Sequence, residues 1–389
     1  MHTRNDNVLV VGAGVFGTTA ALELAQRGYS VHVVDPGPLP RPEASSVDTS
    51  RSIRIDYGSD LLFTEMAEAC LPRWRELNDE LGESIYHEDG FLFLTRSAMH
   101  ESSFERDSFQ TLTERGWHLD RLDAETIRKR FPMFSDAYVD GYLNPHDGWA
   151  SSGRALELLI RQARHVGVQF TERAKCTALM ERGGNVVGVE LEGGSKLEAD
   201  LVVVAAGVWT RMLLPWLSDF MQCVGQAVLY LHVDDGKRWR FPSLPTWSAD
   251  ISHTGWYGFP ALSDGIVKIA NHGPGRVLHP DDRREVLPSE EDRCRDFLAE
   301  SVPELLDAPI QKRRVCAYND TWDGAFLIDH DPSRKGLVVA TGGSGHGFKF
   351  APILGEIIAD VVEGKENRFA ARFRWREPGV TGAESARRQ

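Results

Sequence analysis

The chain carries only five cysteines in 389 residues, and they lie far apart, at Cys70, Cys176, Cys223, Cys294 and Cys316. The number is odd and there is no CxxC pair, which argues against a disulfide framework and against a thiolate zinc site. Nor is there a block of basic residues. The formal net charge is −13, and the one basic run, QKRRV at 311–315, gives way at once to apolar and acidic residues. That run reads as the solvated start of a strand, and a nucleic-acid partner is not expected. No apolar run reaches the roughly 18 residues that span a bilayer. The amino terminus, MHTRNDNVLVVGAG, passes from a polar tail straight into a strand without the features of a secretory signal, and the end, ESARRQ, is not an SKL-type peroxisomal address. A cytoplasmic protein with reduced thiols is the expectation. His253, His272 and His279 sit in irregular stretches without ligand spacing and read as solvated or backbone-bonded, so no metal is expected.

What is present is glycine, 36 residues of it, with 42% hydrophobic content, a composition that suits a turn-rich globular enzyme. The length exceeds what one core supports, so about two domains are expected. The most ordered pattern is NVLVVGAGVFGTTAALELAQRGYSVHVVD. Val8–Val11 form a short buried run, Thr18–Arg27 carry helical spacing, Gly28 closes the helix, and Val31–Val34 form a second strand. This is a βαβ unit with Gly12, Gly14 and Gly17 in its first turn. The first glycine makes the turn, the second admits a pyrophosphate, and the third lets helix pack on strand. Asp35 ends the second strand, where a carboxylate can accept hydrogen bonds from ribose hydroxyls.

Two further segments echo this fold. LEADLVVVAAGVWT at 197–210 reads as a buried strand ending in small residues. KGLVVATGGSGHGFKFAPILGEIIADVVEG at 335–364 reads as a strand, a glycine-rich loop and a helix with Pro352 in its first turn. Between them, SIYHEDGFLFLTRS and GWYGFPALSDGIVKIANHG alternate like antiparallel strands. The expected organisation is a discontinuous nucleotide-binding domain of residues 5–84, 150–225 and 314–375, a substrate domain of residues 85–149 and 226–313, and a flexible tail, 376–389.

A lone GxGxxG does not separate NAD from FAD enzymes. The motifs GAGVFG, DTSRSIRIDYG, YGFPALSDGIVK, and CAYNDTWDGAFLID with its following GSGHGFKF are more specific. Together they resemble the D-amino-acid-oxidase class of flavoproteins, and within it the monomeric sarcosine oxidase family, which also holds N-methyltryptophan, pipecolate, saccharopine and fructosyl-amino-acid oxidases. The resemblance runs from Val8 to about Gly364. It implies an α/β chain with a Rossmann-like FAD-binding domain and an antiparallel-sheet substrate domain.

The resemblance also implies roles. An isolated cysteine normally reads as a small buried hydrophobe, but Cys316 followed by Tyr318, Thr321 and Asp323 matches the family's site of thioether attachment to the 8α-methyl of FAD. Arg51 and Arg54, whose spacing would place them on one helical face, match positions beside the flavin and on the substrate carboxylate. The family usually reads DTR where this chain reads DTSR, so Ser50 stands just before the arginine. Lys349 matches a second carboxylate-binding cation, His346 a histidine near the reacting face, and Lys268 the lysine that activates oxygen. Tyr257 would line the substrate pocket. Gly12, Gly14, Val15, Phe16, Gly17, Asp35, Ser50, Arg51, Gly207, Trp209, Cys316, Gly343, Gly345, His346, Gly347 and Lys349 would surround the cofactor.

The implied activity is oxidation of the C–N bond of a secondary amino acid, N-methyl, N-alkyl or cyclic. Hydride would pass to flavin N5, and O2 would be reduced to H2O2 by a monomeric enzyme. The rivals are a flavin dehydrogenase or desaturase that ignores oxygen, a tRNA-modifying flavin domain, and a non-catalytic nucleotide sensor. Lys268 speaks against the first, the acidic balance against the second, and the combination of Lys268, Arg54 and Lys349 against the third.

Overall fold

The computed structural model describes residues 6–99, 103–262, 264–379, 382 and 387. Residues 1–5 of the polar start, Ser263 of the YGFPALSDGIVK motif and most of the 380–389 tail lie outside them. The βαβ unit forms as its sequence suggests: strand Asn7–Val11, helix Val15–Gln26, strand Ser30–Asp35. Its strands are apolar almost throughout because they sit inside a six-stranded sheet covered on both faces. The sheet order is Leu327–His330, Leu337–Thr341, Leu201–Val204, Asn7–Val11, Ser30–Asp35 and Gln169–Glu172. All neighbours are parallel except the Leu327–His330 edge.

Helix Val15–Gln26 packs against helix Ala351–Val362, which starts at Pro352 in its first turn. Their contact is close: a Cβ on Gly355 would lie 2.5 Å from Thr19 O. Arg27 then ties the ends of the two helices, with Nη1 at 2.7 Å from Asp360 and 2.6 Å from Glu363.

A nine-stranded sheet makes up the second layer. Its path runs Arg276–Val277, Met221–His232, Ile266–Asn271, Trp256–Phe259, Thr246–Ala249, Phe91–Thr95, Asp140–Asn144 and Asp120–Asp123, and Ile310–Thr321 pairs with Met221–His232. Only the Thr246–Ala249 and Phe91–Thr95 pair is parallel. The basic run at 311–315 lies at the start of a strand, exposed over residues 311–313 and buried by Val315. Boundaries at 226 and 314, read from sequence, fall inside the Met221–His232 and Ile310–Thr321 strands, which belong whole to this sheet.

One local expectation is corrected. Arg51 and Arg54 do not share a helical face. Arg51–Ile53 is a short strand paired with Gly148–Ala150, and Arg54 follows it in extended chain. Backbone pairing with a segment a hundred residues away overrides the local spacing. No described helix is long and apolar enough to cross a membrane.

Candidate active site

Strand register assembles much of the site. Residues directly opposite one another in a sheet share a face, and so do residues two apart along a strand. Tyr257 lies opposite Ala270, Phe259 opposite Lys268, Tyr230 opposite Lys268, and Gln226 opposite Cys316. One face of the nine-stranded sheet therefore presents Tyr257, Phe259, Lys268, Tyr230, Cys316 and Tyr318. The ammonium of Lys268 is buried and sits 4.5 Å from the centre of the Phe259 ring.

Between this face and the six-stranded sheet lies a cavity of about 420 Å³. Its walls come from the carboxyl ends of the parallel strands, including Gly12, Asp35, Gly207 and Gly343, and from Arg51, Cys316 and Tyr318 on the other side. Binding outside the carboxyl ends of the strands is the general rule for such sheets. Gly12 has φ +104°, and a Cβ there would stand 2.6 Å from Ala205 O, so the floor is necessarily bare backbone. Helix Val15–Gln26 opens on the cavity with no acidic residue in its first turn, which suits an anionic pyrophosphate. The donor set and the bare backbone thus fit FAD.

Most of the expected cofactor residues line this cavity: Gly12, Gly14, Val15, Phe16, Asp35, Arg51, Gly207, Trp209, Cys316, Gly343, Gly345 and Gly347. Gly17, Ser50, His346 and Lys349 do not. Gly17 lies under the helix, where a Cβ would meet Gly12 O at 1.9 Å, and the Ser50 carbonyl accepts from Lys268 Nζ at 2.6 Å. Asp35 accepts backbone N–H groups from Ala13 and Gly37, each at 2.9 Å, so it braces the glycine turn as well as facing the cavity. Arg51 Nη2 donates to Cys316 Sγ at 3.1 Å and to Ser45 O at 2.8 Å. Burial pushes the other thiols up, Cys176 and Cys223 to about 11 and Cys294 to about 12.

Next to the glycine loop, Lys349 Nζ donates to Tyr57 OH at 2.7 Å, and Tyr57 OH lies 3.1 Å from His346 Nδ1. His346 Nε2 lies 3.0 Å from Gly324 O. A carbonyl only accepts, so the proton of a neutral ring sits on Nε2 and Nδ1 accepts from Tyr57. Arg54 donates to Asp56 O and lies 5.0 Å over the Tyr57 ring. Two buried cations, Arg54 and Lys349, thus meet at one tyrosine.

A second charged cluster lies around Asp48. Its Oδ2 is 2.9 Å from Lys268 Nζ and 3.0 Å from Arg51 Nη1, and its Oδ1 accepts from Tyr230 OH and from Thr49 N. Burial alone would raise the Asp48 carboxyl, but Lys268 and Arg51 hold it well below the usual range. Burial also lowers Lys268 from the usual 10.5 to about 8, with Asp48 opposing the fall. Tyr257 is pushed up to about 12 by burial, against the pull of Arg51 and of a hydrogen bond with Tyr318.

Sequence reasoning missed Asp48 and Tyr57, although both stand inside a quoted motif, and of its two readings of His272, solvated or backbone-bonded, the first does not hold. That histidine is buried, with its ring 5.8 Å from Tyr318. The period of two from Lys268 through Ala270 is the signal that could have found it. Thr321 and Asp323 make a turn instead of touching the cavity: Thr321 Oγ1 donates to Ala325 O at 2.6 Å, and Arg376 holds Asp323 with both nitrogens at 2.7 Å. Among the described residues no group of three or more His, Cys, Asp or Glu is placed to hold a metal.

The chain resembles known proteins over most of its length. The profile of the family described as "DAO: FAD dependent oxidoreductase" matches residues 7–361. The chain is 28% identical to monomeric sarcosine oxidase of Bacillus sp. (strain B-0618) over 98% of each chain. It is 27% identical to L-saccharopine oxidase of Schizosaccharomyces pombe, over 95% of this chain and 93% of that one. Among solved structures, fructosamine oxidase (Amadoriase II) of Aspergillus fumigatus superposes with a TM-score of 0.84 at 26% identity, covering 96% of this chain and 90% of the other.

Proposed function

Because the chain belongs to the DAO family of FAD dependent oxidoreductases, we propose that it oxidises the C–N bond of a secondary amino acid and reduces O2 to H2O2. The observation that carries this reading is the meeting of Arg54 and Lys349 at Tyr57, beside the glycine loop. Relatives that act on sarcosine and saccharopine, by their names, support it.

FAD, when bound, supplies the acceptor for a hydride leaving the C–N bond and the donor that returns electrons to O2. The chain does the rest. Arg54 offers a planar pair of donors to the substrate carboxylate, and Lys349 adds a point charge. Tyr257 and Tyr318 form the wall opposite. His346, held at both ring nitrogens, orients Tyr57 and is not positioned as an obligatory base. The amine must be neutral to give up hydride, and the two cations favour that form. Lys268 carries a fixed ammonium in a water-poor place, where it stabilises superoxide. Cys316 holds the flavin through a thioether, with Arg51 Nη2 donating to its sulfur at 3.1 Å.

We assign the six-stranded layer to the cofactor and the nine-stranded layer to the substrate, with strands 221–232 and 310–321 counted in the latter. The enzyme would act as a monomer. The deciding experiment is anaerobic mixing with a panel of secondary amino acids, N-methyl, N-alkyl and cyclic. Bleaching of the flavin by members of the panel is expected. A flavin that stays oxidised with all of them, or that bleaches equally with primary amino acids, would reject the substrate class.

A further inference from the structure

Arg387 lies against the tyrosine wall. The guanidinium of Arg387 is buried, its side chain 8% exposed. Nη1 lies 2.6 Å from Asp320 Oδ2, whose side chain is also 8% exposed. Its Nε donates to Gly273 O at 3.1 Å, and its Cζ stands 5.5 Å from the centre of the Tyr318 ring. None of these contacts is local. They join Arg387 to the Ile310–Thr321 strand and to the loop that follows Ile266–Asn271.

Their place follows from strand period. Cys316, Tyr318 and Asp320 alternate along the Ile310–Thr321 strand and share one face, spaced by roughly 7 Å per pair. The attachment thiol, the tyrosine wall and the anchor of Arg387 therefore stand in one line. Gly273, the second anchor, follows His272, which packs on Tyr318, and its carbonyl also accepts from Gln226 Nε2 at 2.6 Å. Tyr318 in turn touches the glycine loop: a Cβ on Gly345 would stand 2.4 Å from the ring. Burial raises the Asp320 carboxyl, and Arg387 is the largest influence opposing it.

An ion pair buried this deeply is weak evidence for stability, since desolvation offsets much of the attraction. It is better suited to fixing a geometry. A planar fork that grips a carboxylate and a carbonyl at once leaves the guanidinium little freedom, and the ring beneath it cannot move outward past it.

We propose that Arg387 is a positioning residue that sets substrate specificity: it fixes the Tyr318 wall and so limits the size of the group the amine can present on that side. The inference rests on the reading that Tyr257 and Tyr318 bound the amine chamber.

The test uses the full-length holoenzyme as wild type, Arg387→Ala, Arg387→Lys, and the double variant Arg387→Met with Asp320→Asn, which removes the pair without leaving a buried charge. Two amino-acid series are compared by anaerobic flavin reduction, one growing on nitrogen from methyl to benzyl, one growing at the side chain. In one of the series, the ratio of apparent Kd for the largest to the smallest member should fall at least tenfold in Arg387→Ala and in the double variant. Arg387→Lys should stay near the wild-type ratio, and reoxidation by O2 should be unchanged in all. Ratios within twofold of wild type in both series would overturn the proposal. So would Ala and double variants that cannot fold, since Arg387 would then be a structural residue. A wild type that reduces with no amine would instead reject the functional reading itself.

Discussion

Asp48 Oδ2 stands 2.9 Å from Lys268 Nζ, and neither side chain is more than 3% exposed. The same oxygen is 3.0 Å from Arg51 Nη1, and Arg51 donates to Cys316 Sγ. One carboxylate therefore balances the cation assigned to oxygen and the cation beside the Cys316 thiol. Its removal should disturb both, in ways that can be separated.

The pH dependence comes first. Lys268 falls to about 8, chiefly by burial, while Asp48 holds it up against Arg51. If reoxidation needs the ammonium, its rate should be flat below about pH 8 and decline above. In Asp48→Asn the support is gone, and the limb should move to lower pH by about one unit or more. The sign for stability is opposite. A lysine whose pKa is depressed on folding loses its proton first in the folded chain. Its penalty is thus complete below about 8 and is relieved as pH rises toward the usual 10.5. Stopped-flow reoxidation against pH measures the first effect. A limb that does not move in Asp48→Asn would show that Asp48 does not govern Lys268.

The proposed thioether gives the next expectation. Cys316 lines the cavity, and its sulfur accepts from Arg51. Acid-precipitated wild type should stay yellow, while Cys316→Ala should leave its flavin in the supernatant. Cys176 also lines the cavity, so Cys176→Ala, expected to stay yellow, is the control. A colourless wild-type pellet contradicts the thioether.

What could be read in the sequence, and what could not, divides by the range of the interactions. The βαβ turn is legible because Gly12, Gly14 and Gly17 serve contacts within a few residues or with the neighbouring strand. Lys268 and Cys316 were reached through motif resemblance. The partners that give them their environment were not: Lys268 donates to Ser50, 218 residues away, and no local pattern encodes that. The spacing of three between Arg51 and Arg54 suggests a helix, yet pairing with Gly148–Ala150 makes that stretch extended. Tyr57 passed unnoticed because its importance lies in Lys349 and His346, both nearly three hundred residues on.

The cations at Tyr57 predict a carboxylate requirement. Losing one charge-assisted partner, in Arg54→Met or Lys349→Met, should weaken substrate affinity by about 2–4 kcal/mol. The effect should fall mainly on apparent Kd in anaerobic reduction, with a smaller change in the limiting rate. A decarboxylated analogue should be a poor substrate for wild type and should be penalised much less by either substitution. Equal turnover of acid and decarboxylated analogue by wild type would remove the assignment.

Lys268 separates an oxidase from a dehydrogenase. Its ammonium is buried, fixed by Asp48 and the Ser50 carbonyl, and set over the Phe259 ring. The first electron taken up by O2 makes superoxide, and a fixed cation in a place poor in water stabilises that anion. Lys268→Met should therefore slow reoxidation by O2 by a barrier of about 4–5 kcal/mol, roughly a thousandfold or more in rate. Anaerobic reduction by the amine should change far less, because the carboxylate cations at Tyr57 are untouched. An artificial electron acceptor should then restore turnover that air does not support. The two half-reactions are timed separately, so a binding defect cannot imitate the effect. If Lys268→Met reoxidises at the wild-type rate, the ammonium serves only to neutralise Asp48, and oxygen is activated elsewhere.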